Sequence, residues 1–240
     1  MKRWLIFVGE GVGEEIFNRI NLKTEIDLVY EVHQIEQKNK FIRSQIKYST
    51  SLLNKEFCDQ YFGAILIWWP KILSLSDISL LNHNIYNLHP SYLPFGRGKD
   101  PNFWAIYNQE PAGFTVHKIN EKIDQGYILW QRAVPISFKD TGQILYYRII
   151  TEIKKDINFI IESITSDDIF LIPVDTRLGS YHNRADMLNL AYLNLDNEPE
   201  TLDVINLMRA KTFTEKGGLI VSRNGKEFRL QLTIEDIDDG

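Results

Sequence analysis

Ala64-Ile65-Leu66-Ile67-Trp68 is an unbroken apolar run. Successive side chains of a strand point to opposite faces, so such a run suits a strand covered on both sides, as in a parallel sheet between helices. Residues 4–8 (Trp4-Leu5-Ile6-Phe7-Val8) repeat the pattern, and a helical stretch at 14–20 follows. Residues 26–32 carry apolar side chains at 26, 28, 30 and 32, the alternation of a half-buried strand. Residues 84–89, 113–119 and 127–134 read as further strands. Asp100 as N-cap and Pro101 at the first helical position open a helix over 100–108. Strand–helix alternation across the first 135 residues implies an α/β fold around a mostly parallel sheet.

From Thr141 the pattern changes. Ile153, Ile157, Ile160, Ile161 and Ile164 fall on one stripe of a helix over 141–164. A polar stretch, 167–186, and a helix at 201–209 follow. Two strand-like pieces, 218–222 and 226–234, flank Arg223-Asn224-Gly225, and Asn-Gly is a strong hairpin signal. An isolated two-stranded hairpin is marginal in water. It must pack on the body or on a second copy.

The 240 residues are 44% hydrophobic and 25% charged, and 27 cationic against 32 anionic side chains leave a net charge of −5. That balance argues against a nucleic-acid partner, whose phosphates call for a basic excess. One cysteine, Cys58, excludes an intramolecular disulfide framework and a cysteine-cluster metal site, and no metal is expected. Residues 4–8 are shorter than the ~7–15 apolar residues of a signal peptide, and residues 64–70 fall short of the ~18 of a membrane helix. The expectation is a soluble, cytoplasmic protein without a membrane partner.

Gly9-Glu10-Gly11-Val12-Gly13 follows a strand and precedes a helix, and Glu31 lies near where an acidic residue would hold a ribose. The dinucleotide fingerprint needs a third glycine where Glu14 stands, and Glu10, Glu14 and Glu15 would repel a pyrophosphate. The glycines read as a tight turn. A nicotinamide-dependent oxidoreductase is the alternative from another class.

Asn87-Leu88-His89-Pro90-Ser91-Tyr92-Leu93-Pro94 runs into Gly96-Arg97-Gly98. On a strand, Asn87 and His89 share a face, which puts an amide and an imidazole at the carboxyl end of a strand, where open α/β sheets bind ligands. His117 lies on a later strand, and Glu121-Lys122-Ile123-Asp124-Gln125-Gly126 supplies a carboxylate in a loop. An amide that donates to an oxyanion, an imidazole that moves protons and a carboxylate that orients it can together catalyse acyl transfer to an amine. Spacing leaves open whether they meet.

These blocks, together with Gly113-Phe114-Thr115-Val116-His117 and Ile123-Asp124-Gln125-Gly126, resemble the folate-dependent formyltransferase family in order and spacing. The resemblance covers residues 1–165 well and the tail loosely. It implies a Rossmann-like catalytic domain over 1–165 that uses 10-formyltetrahydrofolate. The family's catalytic Asn, His and Asp fall on Asn87, His89 and Asp124. Trp68, Trp69, Pro70, Lys71, Ile72 and Leu73 resemble the segment that wraps the pterin, with His117 and Asp124 completing the cofactor set. Two adjacent tryptophans on a strand cannot share a face, so the resemblance has one line the pocket while the other packs in the core, against a plain core role for either.

The family formylates an initiator aminoacyl-tRNA, a glycinamide ribonucleotide or nucleotide-linked amino sugars. The tRNA enzymes are larger, with a basic C-terminal barrel, whereas residues 166–240 are short and the chain is acidic. The glycinamide enzymes resemble the catalytic domain alone; phosphoribosylglycinamide formyltransferase stays as the alternative. Leu178-Gly179-Ser180-Tyr181-His182-Asn183-Arg184, Arg209-Ala210 and the hairpin look like the tails of sugar N-formyltransferases, in which a hairpin commonly helps build a dimer. The resemblance therefore implies a homodimer through residues 166–240. It also implies formylation of a dTDP-linked 4-amino-4,6-dideoxyhexose, with dTDP-4-amino-4,6-dideoxyglucose preferred, for surface polysaccharide (O-antigen, lipopolysaccharide) synthesis. Lys99, Tyr181, His182 and Arg184 are the candidate anchors for the sugar nucleotide, against a plain surface-loop role. A non-catalytic sugar-nucleotide binding protein is a further alternative, which the Asn87, His89 and Asp124 set weighs against.

Overall fold

The computed structural model describes residues 3–32, 34–36, 39–166, 169–190, 192–194, 200–213, 217–223 and 225–236. Its strands are β1 (Arg3–Val8), β2 (Ile26–Tyr30), β3 (Ile42–Lys47), β4 (Tyr61–Ile67), β5 (Ile85–His89), β6 (Arg97–Gly98), β7 (Ala112–Lys118), β8 (Tyr127–Val134), β9 (Ile172–Pro173), β10 (Tyr181–His182), β11 (Tyr192–Asn194), β12 (Leu219–Arg223) and β13 (Lys226–Leu230). The helices are α1 (Val12–Phe17), α2 (Lys55–Cys58), α3 (Leu75–Leu80), α4 (Pro101–Tyr107), α5 (Gly142–Thr165), α6 (Arg184–Asn189) and α7 (Thr201–Lys211).

Eight strands form one sheet in the order β3-β2-β1-β4-β5-β7-β8-β9. Strands β1 to β5 pair in parallel, and β7 runs antiparallel to β5. This is the mixed α/β sheet that the apolar runs call for. Strand β4 lies between β1 and β5, and Ala64, Ile65, Leu66 and Ile67 are all buried. One apolar cluster joins Leu5, Phe7, Val29, Leu66, Ile78 and Ile85. The isoleucine stripe of α5 is buried from Ile153 to Ile164. Asn158 on that helix accepts from the backbone N–H of Asn21 (2.6 Å) and donates to the carbonyl of Arg19 (3.2 Å).

The chain divides into two compact units: Met1–His89 with Phe114–Arg132 and Ile150–Thr176, and Pro90–Gly113 with Ala133–Ile149 and Arg177–Gly240. These units interleave along the chain.

In the second unit, β12 and β13 form the expected antiparallel hairpin, from Leu219↔Leu230 to Arg223↔Lys226. Asn224 lies outside the described residues. Strand β11 adds to β12 in parallel. Arg209 on α7 is buried and donates to the carbonyl of Ser137 (2.7 Å), the carbonyl of Asp140 (3.2 Å) and Asn206 Oδ1 (2.8 Å). Asp140, 2% exposed, accepts from both terminal nitrogens of Arg148 at 2.6 Å and from the backbone N–H of Ser137 at 2.7 Å. Burial pushes the Asp140 carboxyl up, but Arg148 and the Ser137 N–H outweigh it and hold the group below its usual range.

Several elements differ from the sequence expectation. Strand β3, Ile42-Arg43-Ser44-Gln45-Ile46-Lys47, is a half-exposed sheet edge with neither an apolar run nor clean alternation, so the sequence gives no strand signal. Helices α2 and α3 span only four and six residues, too short for a helical period to emerge. Helix α1 begins at Val12 and ends at Phe17, where 14–20 was expected. Asp100 precedes α4, but it sits at φ 54° and its side chain makes no capping hydrogen bond; Pro101 alone marks the start. Strand β13 stops at Leu230 where 234 was expected.

Candidate active site

Strand β5 ends on His89, and its register with β7 sets Asn87 opposite His117 and His89 opposite Thr115. Directly opposed residues of an antiparallel pair bring their side chains together. Asn87 Nδ2 lies 3.4 Å from His117 Nε2. The loop after β7 turns back over this strand end. Asn120 fastens it by accepting from the N–H of Lys122 and donating to the carbonyl of Gln125, both at 2.9 Å. Gly126 has to be glycine, because a Cβ there would lie 1.8 Å from the Lys118 carbonyl oxygen. Asp124 takes φ 51°, a left-handed conformation that costs a non-glycine residue on the order of 1 kcal/mol and gathers at functional sites.

That turn carries the carboxylate to both imidazoles. Asp124 Oδ2 is 3.7 Å from His89 Nε2, and Asp124 Oδ1 is 3.5 Å from His117 Nε2. These separations exceed formed hydrogen bonds but leave the carboxylate close enough to both rings for a charge interaction. Catalytic contacts of this kind commonly tighten only around a bound substrate. His89 is 6% exposed, His117 0% and the Asp124 side chain 10%, so charge interactions here are weakly screened. His117 Nδ1 is buried with no hydrogen-bond partner among the described residues.

The six residues 68–73 do not act alike. Trp68 has φ 56°, and its carbonyl oxygen lies where a Cβ on Gly9 would be 2.0 Å away. Close passage of backbone explains Gly9, in keeping with a tight turn. Trp69 packs edge-on against Phe7 and Tyr48, each at 5.2 Å, and Leu73 is buried in the same cluster. Lys71 pairs with Glu31 at 2.6 Å, which occupies the carboxylate that a ribose would have needed. Ile72 stands 78% exposed. Cys58 is buried, and burial pushes its thiol up to about 11, so it is no nucleophile at neutral pH. Among the described residues no group of three or more His, Cys, Asp or Glu could hold a metal ion, and no helix is long and apolar enough to cross a membrane.

In the second unit, β6 pairs in parallel with β10, matching Arg97 to Tyr181 and Gly98 to His182, and the N–H of Lys99 donates to the His182 carbonyl at 2.9 Å. Lys99, Tyr181 and His182 thus form one strip, and Arg184 opens α6 just beyond it. The His182 ring lies flat on Trp104, 3.8 Å between centroids at 8°, and burial holds its pKa below the ordinary value against the pull of Glu110 and Asp186. Ser180 Oγ donates to Glu110 (2.6 Å) and accepts from the N–H of Gly96 (2.9 Å). Trp104, Glu110 and Ser180, which hold the strip, escape sequence reasoning because each meets its partner only across distant stretches of chain.

The formyl transferase family matches residues 34–158. The methionyl-tRNA formyltransferase of Thermotoga neapolitana is 31% identical over 69% of this chain and 52% of its own length. The GDP-perosamine N-formyltransferase of Brucella melitensis is 28% identical over 61% of this chain and 62% of its own. The chain thus spans about half to three-fifths of these curated relatives. The N-formyltransferase from Helicobacter canadensis, solved with folinic acid and dTDP-3-aminofucose, has the same fold, with a TM-score of 0.72 at 20% identity over 94% of this chain and 85% of that one.

Proposed function

The chain belongs to the formyl transferase family, and from that premise we propose that it moves a formyl group from 10-formyltetrahydrofolate to the 4-amino group of a dTDP-linked 4-amino-4,6-dideoxyhexose. The preferred acceptor is dTDP-4-amino-4,6-dideoxyglucose, and the product serves surface polysaccharide synthesis of the O-antigen kind. The observation that carries the proposal is the meeting of Asn87, His89 and Asp124 at the carboxyl end of β5.

The residues around that strand end fit a pterin-bearing donor. Beyond β4 the backbone leaves the strand line at Trp68, and Ile72 offers exposed apolar surface of the kind an aromatic ring covers. Trp68, Pro70 and Ile72 are the residues to hold it, with Trp69 and Leu73 as their packed support. The donor supplies an activated formyl carbon. Asn87 Nδ2 donates to the oxygen on which negative charge develops as the amine attacks. His89 would handle the proton that the amine must lose, while the bond from the formyl carbon to N10 of the donor breaks and that departing nitrogen gains a proton; Asp124 orients the imidazole and favours its charged form.

An anionic sugar nucleotide needs local cations on a chain of net charge −5. Lys99 and Arg184 are placed in that role, with Tyr181 and His182 beside them. The GDP-perosamine N-formyltransferase relative and the dTDP-3-aminofucose complex support an amino-sugar nucleotide as acceptor. The proposal includes residues 1–165 as the catalytic portion, a homodimer through residues 166–240 and a cytoplasmic site of action.

The test is mass spectrometry of a panel of dTDP-, UDP- and GDP-amino sugars incubated with the protein and 10-formyltetrahydrofolate. A gain of one formyl group on a dTDP-4-amino sugar is expected. Transfer to glycinamide ribonucleotide or to methionyl-tRNA alone would replace the acceptor, and consumption of NAD(P)H without transfer would replace the reaction.

A further inference from the structure

His117, expected from the sequence in the cofactor set, has no part in the proton transfer assigned to His89, and it is the more deeply buried of the two, at 0% exposure. Its Nε2 stands between two groups that make opposite demands. Asn87 Nδ2, at 3.4 Å, is a donor and would need a lone pair on Nε2. Asp124 Oδ1, at 3.5 Å, is an acceptor and would need an N–H there. A neutral imidazole carries one N–H and satisfies only one of them.

Two considerations choose between them. A hydrogen bond to a carboxylate is roughly twice as strong as one between neutral groups. The second consideration is Nδ1, which is buried without a partner among the described residues. Placing the proton on Nδ1 would strand a buried donor, whereas placing it on Nε2 strands only a lone pair, the milder loss.

We propose that His117 is a positioning residue: its Nε2 carries the N–H, which faces Asp124 Oδ1 at 3.5 Å and closes on it around bound substrate, so that Oδ2 is presented to His89 and the Asn87 NH₂ is left for the reacting oxygen. The catalytic meaning rests on the formyl-transfer reading above, while the tautomer does not. One carboxylate is then shared between two imidazoles with distinct duties. His89 moves a proton, and His117 keeps its own and fixes the geometry. The same choice of tautomer prevents Asn87 from spending a donor on the protein instead of on the oxyanion.

The test has two arms. In the first, long-range ¹H–¹⁵N spectra of the protein labelled at its five histidines identify the His117 tautomer at neutral pH, with His117→Gln assigning the signal. Nε2–H is expected in the wild type and should be lost as a single tautomer in Asp124→Ala. Nδ1–H in the wild type overturns the proposal, whether or not the chain transfers formyl. The second arm compares His117→Leu, which fills space without a donor, with His117→Gln, whose amide can still donate to Asp124. His117→Leu should lower kcat on the order of 100-fold, the cost of misplacing a catalytic group, with the donor's KM little changed. His117→Gln should recover most of that loss. Equal activity in the two variants overturns the proposal. Absence of transfer by the wild type to every acceptor counts against the formyl-transfer reading alone and leaves the tautomer arm to decide this one. If His117→Leu does not fold, the tautomer and the activity of His117→Gln against wild type decide: His117→Gln as slow as 100-fold below wild type overturns it.

Discussion

His89 Nε2 and Asp124 Oδ2 stand 3.7 Å apart, one at the end of a strand and the other on a left-handed turn that nothing but tertiary packing brings to it. Both side chains are at least nine-tenths buried, so the carboxylate acts on the imidazole through protein and not through bulk water. His89→Ala and Asp124→Ala are each expected to lower kcat by about 10²–10⁴-fold, the usual worth of a positioned proton-transfer group. Circular dichroism and Tm should stay close to wild type, because neither residue belongs to the apolar core. A variant with near-normal turnover would remove that residue from the mechanism.

A Cβ at Gly9 would lie 2.0 Å from the Trp68 carbonyl oxygen, and backbone cannot yield as a flexible side chain can. Gly9→Ala should therefore push the 68–73 segment away from the end of β1. The expected result is a loss of about 2 kcal/mol in denaturant unfolding, in the range of overpacking. Weaker binding of a folate analogue by calorimetry should accompany it. Unchanged stability with unchanged folate affinity would show that the segment tolerates the shift.

Asp140 joins Arg148, Ser137 and the loop that Arg209 holds. Its folded pKa is depressed, so its contribution is present above the unfolded value and is lost as pH falls through the folded one. Wild-type Tm should then drop below about pH 4. Asp140→Asn should lower stability at neutral pH by about 2 kcal/mol, less than the ~3–5 kcal/mol of a fully buried broken pair because Arg148 is a third exposed. It should also flatten the acid limb of the Tm profile.

His182 is held neutral where Asp140 is held charged, and its folded pKa is likewise depressed. Burial against Trp104 favours its neutral form, which lowers its folded pKa. Its contribution is complete above the unfolded pKa of about 6.5 and is lost as pH falls through the folded value. His182→Phe keeps an aromatic ring on Trp104 but cannot titrate, so the Tm decline as pH falls below ~6.5 should shrink. Affinity for a dTDP-sugar should fall if the ring contributes to nucleotide binding. An unchanged Tm profile would show that His182 does not couple folding to pH.

Strong periodicity and short motifs were legible from the chain. The runs at β1 and β4 announce buried parallel strands, because only a strand covered on both faces tolerates apolar residues at every position. The α5 stripe and the Asn-Gly hairpin follow from equally local physics. The edge strand β3 and the short helices α2 and α3 were not legible, since their residues are half exposed and their sequences carry no period. Within the site, Asn87 and His89 share a face by strand alternation alone. Their distances to His117 and Asp124 follow from the β5–β7 register and from Gly126 passing against Lys118.

The sequence by itself determined the family, the α/β sheet and the types of side chain present, because apolar periodicity and motif spacing are written residue by residue. Only the tertiary structure decided which nitrogen of His117 faces Asp124, that Trp69 turns into the core while Ile72 stays exposed, and that His182 rests on Trp104. Those outcomes depend on groups far apart in the chain. Strand register and close backbone passage fix them, and no local stretch of sequence encodes either.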